Sequence, residues 1–252
     1  MTVIAISTAL AAIVVAAVTF SMIVLDHMPS SADFGSDSTS SSLLVVTWGP
    51  SICMADPSTV GCASGHVDAL GRTWVLHGLW PQPRQNQYCN VPQDVADRAR
   101  NTHGSDMPSV DLHSDVRNDL EPLMSDPTAM TSHEWFAHGT CAGVDPNVYF
   151  SDSAALTLEV RRFLDPVFNG GIRRTSASAM RELFDKEFGP GAGQRVGLTC
   201  SNVAGVGTVI FELQLSLPPV AHLRSNGSTL PLADLLAKGP PIREGCRQVR
   251  VP

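Results

Sequence analysis

Apolar and polar positions along the chain form two kinds of repeat. Branched and aromatic residues run through 43–48 (LLVVTW) and 73–80 (TWVLHGLW), while 208–217 (TVIFELQLSL) alternates as a half-buried strand does. Helical periodicity covers five further segments, at 92–100, 112–124, 131–142, 149–168 and 176–188. Because strands and helices do not alternate as regular β-α-β units, the pattern predicts an α+β fold.

The first 42 residues differ in composition from the rest. Residues 2–25 contain no charged side chain, which predicts a signal peptide or an N-terminal membrane anchor. Small residues at 30–32 suit a signal peptidase, but the long apolar run without a basic start leaves an uncleaved anchor open. The Ser/Asp-rich segment 26–42 predicts a linker, so we expect one folded domain at 43–252, outside the cytoplasm and either secreted or anchored.

Composition limits the function of that domain. The chain has 252 residues, 43% of them hydrophobic and 16% charged, which is enough for one large core. A net charge of -7 argues against binding nucleic acid through a broad basic surface. The chain has six cysteines, at Cys53, Cys62, Cys89, Cys141, Cys200 and Cys246. An even number in an exported chain predicts three disulfides, although the sequence does not choose the pairs. The absence of a C-x-x-C pair disfavours a zinc site.

The segment TSHEWFAHGTC (131–141) places candidate chemistry on a predicted helix. His133 and His138 are five residues apart, or about 140° around a helix, which is too far for both rings to hold one metal ion comfortably. Glu134 and Ala137 would fall between them on the same arc, opposite the aromatic side of the helix. The arc predicts either a polar cleft or a solvated helix face.

A second segment, LHGLWPQ (76–82), puts His77 at the end of a predicted strand. Taken together, the two segments resemble the secreted acid ribonucleases of the ribonuclease T2 type, whose signature segments are HGLWP and HEWxKHGTC. The resemblance continues through 47–53, 149–167, 196–200 and 210–216.

The resemblance implies a disulfide-stabilised α+β fold with a central antiparallel sheet. It also implies cleavage of single-stranded RNA through a 2',3'-cyclic phosphate, without a metal or cofactor and by a monomer. His138 matches the base and His77 the acid of the first step, while His133 and Glu134 match residues that support the phosphate. Since Glu134 lies four residues before His138, we expect its carboxylate to orient that ring and raise its pKa.

Base recognition is the least determined part of the predicted site. Trp80 and Tyr88 match positions where the family has aromatic residues against the base, although core packing explains Trp80 equally well. Gln82 stands where many relatives have Asp, so a base preference does not carry over. The remaining histidines match no catalytic position and are expected on the surface: His66, His103, His113 and His222.

Two departures from the family pattern stand out. Ala137 replaces a lysine that would meet the phosphate, so we expect slow cleavage unless a cation such as Arg72 or Arg84 compensates. Ser216 replaces a cysteine of many relatives, so that the resemblance pairs Cys200 with Cys246, beside Cys53 with Cys62 and Cys89 with Cys141. The loss of lysine keeps a second hypothesis open, a weakened ribonuclease fold that acts as a secreted or surface-anchored binding protein.

Overall fold

A largely antiparallel sheet forms the centre of the protein. The structure is a computed structural model that describes residues 41–102 and 107–252, without the side chains of residues 101 and 102. The strands of the main sheet are β1 (Ser41–Trp48), β2 (Trp74–Gln82), β3 (Arg174–Thr175), β4 (Val196–Val203), β5 (Gly207–Leu217) and β8 (Val249–Arg250). Their order is β2-β1-β5-β8-β3, with β4 paired to the other edge of β5. A separate ribbon consists of β6 (Arg224–Ser225) and β7 (Ser228–Thr229).

Helices accompany this sheet along the described chain. The α-helices are α1 (Gly49–Ala55), α2 (Val60–Ala63), α3 (His66–Leu70), α4 (Gln93–Thr102), α5 (Ser114–Leu120), α6 (Pro127–Ala137), α7 (Pro146–Asn169), α8 (Ala177–Phe188) and α9 (Leu232–Lys238). Three short 3-10 helices lie at Gly139–Cys141, Ala192–Arg195 and Val220–His222. The predicted α+β class with a central antiparallel sheet is therefore confirmed.

Strand β1 is central because its apolar run 43–46, with Trp48 beyond it, can be buried on both faces of the sheet. All eight of its residues are buried, and it pairs antiparallel with β2 on one edge and β5 on the other. It begins at Ser41, two residues before the predicted domain start at 43. The Ser42 hydroxyl donates a hydrogen bond to the Pro218 carbonyl oxygen at 2.7 Å, which ties this start to the chain after β5. Residues 2–25, with the predicted signal or anchor, lie outside the described residues, as does most of the predicted linker. Among the helices that the structure describes, none combines the length and apolarity that crossing a membrane requires.

The core joins the start of the sheet to the longest helix. Trp48 of β1, Trp74 of β2 and Phe168 of α7 are fully buried, with ring centroids 4.9 to 5.5 Å apart. Such aromatic clusters bury a large apolar area and fix the orientation of the elements that carry them. Helix α7 is thereby held against the strand that carries His77.

Some elements were not expected from the sequence. Strand β4 carries a glycine and several polar residues, so it lacks the clean alternation that predicts a strand. Helix α9 has only seven residues, too few for a helical repeat to stand out, although Pro231 directly precedes it. Both elements pack on β5 and help to bury it.

Three disulfides connect the periphery to the core. They join Cys53 to Cys62, Cys89 to Cys141 and Cys200 to Cys246, the pairs that the family resemblance implies. The link from Cys89 to Cys141 closes a loop with a sequence separation of 52 and stabilises the fold by roughly 4 kcal/mol in the chain-entropy model. It connects the segment after β2 to the 3-10 helix after α6.

Candidate active site

His77 occupies an irregular position in β2. Val45 of β1 pairs with Gly78 and Val46 pairs with Leu76, so His77 is the extra residue of a β-bulge. A bulge redirects the side chain that it carries and often occurs beside an active site. The His77 side chain is 31% exposed, while its Nδ1 lies 2.6 Å from Glu212 Oε1 and its Nε2 lies 3.8 Å from Glu134 Oε1.

Helix α6 supplies the other half of the site and is shifted from its predicted range of 131–142. Asp126 caps the helix by accepting a hydrogen bond from the Ala129 N–H, and Pro127 takes the first helical position. The helix ends at Ala137, and His138 leaves it with φ -127° and ψ -50°. Gly139 permits this ending, because a Cβ there would lie 2.3 Å from the Trp135 ring.

The early helix end brings three side chains together. Ligand atoms of His133, Glu134 and His138 all lie within 4.8 Å of one another, and the two ring centroids are 6.3 Å apart. The expectation that the two histidines are too widely separated to share an ion was wrong, because it assumed that His138 continues the helix. In terms of spacing, this trio can hold a cation.

Trp80 links the two halves of the site. Its Nε1–H donates to Glu134 Oε2 at 2.8 Å, its ring stacks on His138 at 5.2 Å, and it meets the edge of His77 at 5.1 Å. Gly78 leaves room for this arrangement, since a Cβ there would lie 1.8 Å from Glu134 Oε2. One face of Trp80 is therefore covered by His138, which restricts its use as a platform for a base.

The two histidines have opposite electrostatic environments. Burial lowers the pKa of His77, but the hydrogen bond and charge of Glu212, with the charge of Glu134, outweigh it and raise the value to about 9. Burial lowers the pKa of His138 to about 3, helped by the positive charges of His133, His77 and Arg84. At neutral pH, His77 is therefore protonated and His138 is neutral.

Glu134 does not act on His138 as the sequence suggested. Burial raises its pKa to about 7, against the opposing effects of His77 and of the Trp80 hydrogen bond. Burial and positive neighbours lower the pKa of His138, so the expected rise of that pKa was wrong. Glu134 instead lies between Trp80 and His77.

Glu212 and Thr199 belong to the site and were missed in the sequence. The Thr199 hydroxyl donates to Glu212 Oε2 at 3.2 Å and accepts from the Glu212 N–H at 3.0 Å. The available signal was an acidic residue between Phe211 and Leu213 in an apolar strand, where an unpaired carboxylate is rarely buried.

The other two predicted base-contacting residues, Gln82 and Tyr88, contact Trp80 and Ala137 rather than the histidines. Gln82 is buried, and its Nε2 donates to the Trp80 carbonyl oxygen at 3.3 Å. Tyr88 is half-buried with the Arg100 guanidinium 4.5 Å from its ring centroid, and its N–H donates to the Ala137 carbonyl oxygen at 3.0 Å. The adjacent Cys89 then connects to the end of the site through its disulfide.

The position of the missing lysine is enclosed. Ala137 is 2% exposed, so a lysine there would need to displace neighbouring groups. Arg72 is committed elsewhere, to Asn169 Oδ1 at 3.2 Å and to the Pro252 carbonyl oxygen at 2.7 Å. Arg84 is exposed, and its charge is one of those that lower the pKa of His138. Of the two candidate compensating cations, Arg84 is the one with an electrostatic effect on the site.

The remaining histidines lie apart from this cluster. His113 and His222 are exposed, and His66 is partly buried with its Nε2 3.1 Å from the Met124 carbonyl oxygen. His103 lies outside the described residues.

Fold and site together define a disulfide-stabilised α+β protein with a histidine and carboxylate cleft between a bulged strand and a helix end. The family model described as the Ribonuclease T2 family matches residues 39–223. The chain belongs to the Ribonuclease T2 family, as its two signature segments predict.

Individual relatives agree with this family. Ribonuclease MC of Momordica charantia is 34% identical over 101 residues, covering 39% of this chain and 46% of that protein. Intracellular ribonuclease LX of Solanum lycopersicum is 29% identical over 133 residues, covering 51% of this chain and 52% of that protein. The chain thus spans about half the length of the curated relatives it matches.

Solved structures support the fold. Ribonuclease MC1 from bitter gourd seeds has a TM-score of 0.51 and 21% identity, covering 73% of this chain and 92% of its own. The self-incompatibility associated SF11-RNase of Nicotiana alata has a TM-score of 0.52 and 16% identity, covering 77% of this chain and 95% of its own.

Proposed function

We propose that this protein is an exported endoribonuclease that cleaves single-stranded RNA without a metal, by transesterification through a 2',3'-cyclic phosphate. One observation carries the proposal: two histidines with oppositely shifted pKa values both contact the ring of Trp80. A neutral imidazole beside a protonated one is the combination that such a reaction needs.

In the proposed first step, neutral His138 removes the proton of the 2'-hydroxyl. The 2'-oxygen then forms a bond to the adjacent phosphorus as the bond from phosphorus to the 5'-oxygen breaks. Protonated His77 donates its proton to the departing 5'-oxygen. In the second step the histidines exchange roles, and water opens the cyclic phosphate to a 3'-phosphate.

His133 and Glu134 support the phosphate in this proposal. Glu134 Oε1 is buried and accepts no hydrogen bond from any residue that the structure describes. A carboxyl group with a pKa near 7 is partly protonated at neutral pH and can donate a hydrogen bond to a phosphate oxygen. A preorganised donor of this kind stabilises charge that develops in the transition state.

Nucleotide complexes of a structural relative support RNA as the proposed substrate. Mutants of ribonuclease MC1 have been crystallised with 5'-UMP and with 5'-GMP. Trp80 with one face covered, buried Gln82 and half-buried Tyr88 are the candidates for base contacts here. We propose no base preference.

Export and a monomeric state complete the proposal. Three disulfides are typical of proteins that fold in an oxidising compartment. The apolar segment 2–25 would direct export and could remain as an anchor.

The decisive experiment is cleavage of a dinucleotide in the presence of a strong chelator. We expect wild type to retain its activity, and His77→Ala or His138→Ala to lose at least about 10³-fold in kcat. His113→Ala serves as the matched control, because His113 is exposed and outside the cleft, and it should cleave like wild type. Loss of wild-type activity in chelator, or equal losses in all three variants, would refute the proposal.

A weakened ribonuclease that acts mainly by binding remains the second candidate, favoured by Ala137. Single-turnover cleavage by Ala137→Lys, compared with Ala137→Met, tests it, since the methionine has a similar length but no charge. A higher rate in the lysine variant alone would mean that the missing cation limits the chemical step. An equal or lower rate, with the fold intact, would mean that another group such as Arg84 fills that role.

A further inference from the structure

A second carboxylate, that of Glu212 in the main sheet, contacts His77. Glu212 lies in β5, and β1 separates that strand from β2. The residue is 7% exposed, and its Oε1 accepts a hydrogen bond from His77 Nδ1 at 2.6 Å, across 135 positions of sequence. A short hydrogen bond between an imidazole and a buried carboxylate is a strong, charge-assisted interaction.

This hydrogen bond fixes which nitrogen of His77 carries a proton. An ionised carboxylate only accepts hydrogen bonds, so Nδ1 must be the protonated nitrogen facing Glu212. Nε2 is then the nitrogen that faces Glu134 and the cleft, at 3.8 Å from Glu134 Oε1. A proton that His77 transfers to substrate must therefore leave from Nε2.

Glu212 is itself held in one orientation. Thr199 of β4 donates from its hydroxyl to Glu212 Oε2 and accepts from the Glu212 backbone N–H. Both carboxylate oxygens of Glu212 therefore have partners, Oε1 with His77 of β2 and Oε2 with Thr199 of β4. Few side-chain rotations of Glu212 would keep both hydrogen bonds.

A second bulge sets the direction of this carboxylate. Leu198 pairs with Leu213 and Cys200 pairs with Ile210, so Thr199 alone lies opposite Phe211 and Glu212. The sheet therefore contains two bulges, one that carries His77 and one that carries its partner Glu212. Two separate irregularities that meet at one hydrogen bond indicate a site rather than a generic strand pairing.

We propose that Glu212, oriented by Thr199, is a positioning residue that fixes the tautomer and direction of His77 and keeps this ring available as the proton donor of the cleavage reaction. The proposal rests on the function proposed above for His77. It adds a third group to the acid side of the cleft, and this group acts through His77 without touching the substrate. The hydrogen bond and charge of Glu212 also raise the pKa of His77, which favours the protonated ring.

A purely structural role is the competing explanation. In that case the contact of Glu212 with His77 would only hold β2 and β5 at their distance on either side of β1. Removing the carboxylate charge would then lower the stability of the fold, but it would leave kcat at the optimal pH unchanged. The two explanations therefore differ in what they predict for turnover by the folded protein.

The test uses the oxidised full chain with Glu212→Gln. Glutamine keeps the size of the side chain and an oxygen that can accept from Nδ1, but it removes the charge. We expect kcat to fall about 10²-fold with KM within about two-fold, since partners that orient a catalytic histidine have effects of this order or larger. The alkaline limb of the pH-rate profile should move to lower pH.

A second readout follows His77 directly, by titrating its ring with NMR. We expect its midpoint to fall in Glu212→Gln and the preference for a protonated Nδ1 to weaken. Thr199→Val should shift both in the same direction by less, and Thr199→Ser, which keeps the hydroxyl, should restore them. Glu159→Gln is the matched control. Glu159 is partly buried, accepts a hydrogen bond from the Leu232 N–H at 3.0 Å, and is remote in sequence from the cleft.

Each outcome decides between the explanations. An unchanged kcat in Glu212→Gln, with only lower stability, would overturn the positioning role, and so would an unchanged His77 titration. If wild type fails to cleave RNA at all, the proposed function is wrong. The NMR titration still decides whether Glu212 sets the protonation of His77 in that case.

Discussion

The sheet side and the helix side of the cleft hold their histidines in opposite ways. On the sheet side, His77 contacts Glu212 through one nitrogen and approaches Glu134 with the other. On the helix side, His138 follows the last residue of α6, where it stacks on Trp80 and is surrounded by positive charge. The same side chain therefore becomes a cation on one side and a neutral base on the other, because carboxylates attract a proton while burial and like charges expel it.

The largest effect should come from cutting the covalent link between the two sides. Replacing Cys89 and Cys141 together by serine should lower the free energy of unfolding by roughly 4 kcal/mol. The unfolded chain would regain the conformational entropy that a bridge across a sequence separation of 52 removes. We also expect a lower kcat at a temperature where the variant is folded. Urea unfolding and steady-state cleavage measure the two effects.

The double replacement of Cys53 and Cys62 is the control for that prediction. Their loop has a separation of only 9, so the expected loss is smaller, roughly 2.5 kcal/mol, and turnover should not change. Equal turnover in the two double variants would mean that the longer bridge does not position the cleft.

Removing the carboxylate of Glu134, which lies between Trp80 and His77, should have the next largest effect. Glu134→Gln keeps an oxygen for the Trp80 Nε1–H but removes the carboxylate near His77. We expect kcat to fall about 10²-fold, since an acidic group in the cleft contributes by this order. The alkaline limb of the pH-rate profile should also move to lower pH, as one source of the raised His77 pKa is gone. An unchanged rate would exclude Glu134 from the reaction.

Trp80→Phe asks whether the tryptophan connects the two sides or binds a base. The phenylalanine keeps an aromatic ring but leaves buried Glu134 without its hydrogen bond, at a cost of roughly 1 to 2 kcal/mol in stability. If Trp80 mainly positions Glu134, kcat should fall and KM should change little. A large rise in KM at constant kcat would favour base stacking instead. Trp48→Phe, which removes an indole hydrogen bond to the Pro252 carbonyl oxygen in the core, is the comparison variant.

The two histidines should also give the stability of the protein opposite dependences on pH. The pKa of His77 is raised from 6.5 to about 9, so its stabilising contribution is full below pH 6.5 and is lost as pH rises through 9. The pKa of His138 is lowered from 6.5 to about 3, so its contribution is present above pH 6.5 and is lost as pH falls toward 3.

Urea unfolding at several pH values compares these two contributions. His77→Gln should destabilise the protein most below pH 6.5 and least above pH 9. For His138→Gln, the difference from wild type should shrink as the pH falls below 6.5. Parallel profiles for both variants would contradict the difference between the two sides.

The sequence predicts the identity of the cleft residues better than their geometry. The segments around His77 and His138 are sufficient for the family, and the apolar run of β1 is sufficient for a central strand. The position of His138 was wrong because helical periodicity carries no information on where a helix stops. That ending depends on a close contact between Gly139 and Trp135, which forms only when the helix is packed.

The start of the same helix could have been predicted. Asp126 followed by Pro127 is a cap and first-turn signal, but Thr131 and Ser132 before His133 are also cap-type residues and favoured a later start. The bulges at His77 and Glu212 had no comparable signal, because each depends on the register of a strand that is distant in sequence. The sequence marks Glu212 as an unusual residue in an apolar strand, but it does not indicate that Glu212 contacts His77.

The bulge at His77 makes the number of residues in β2 as important as their identity. A survey by point substitution changes every side chain of the cleft in turn and never changes this number. Deleting a single residue beside His77 would restore a regular ladder with β1, and His77 would then take an ordinary paired position in place of its bulged one. Anyone who transfers this site to another sheet therefore has to transfer an extra residue as well as the histidine, because a strand that is one residue shorter has no bulge to carry the imidazole.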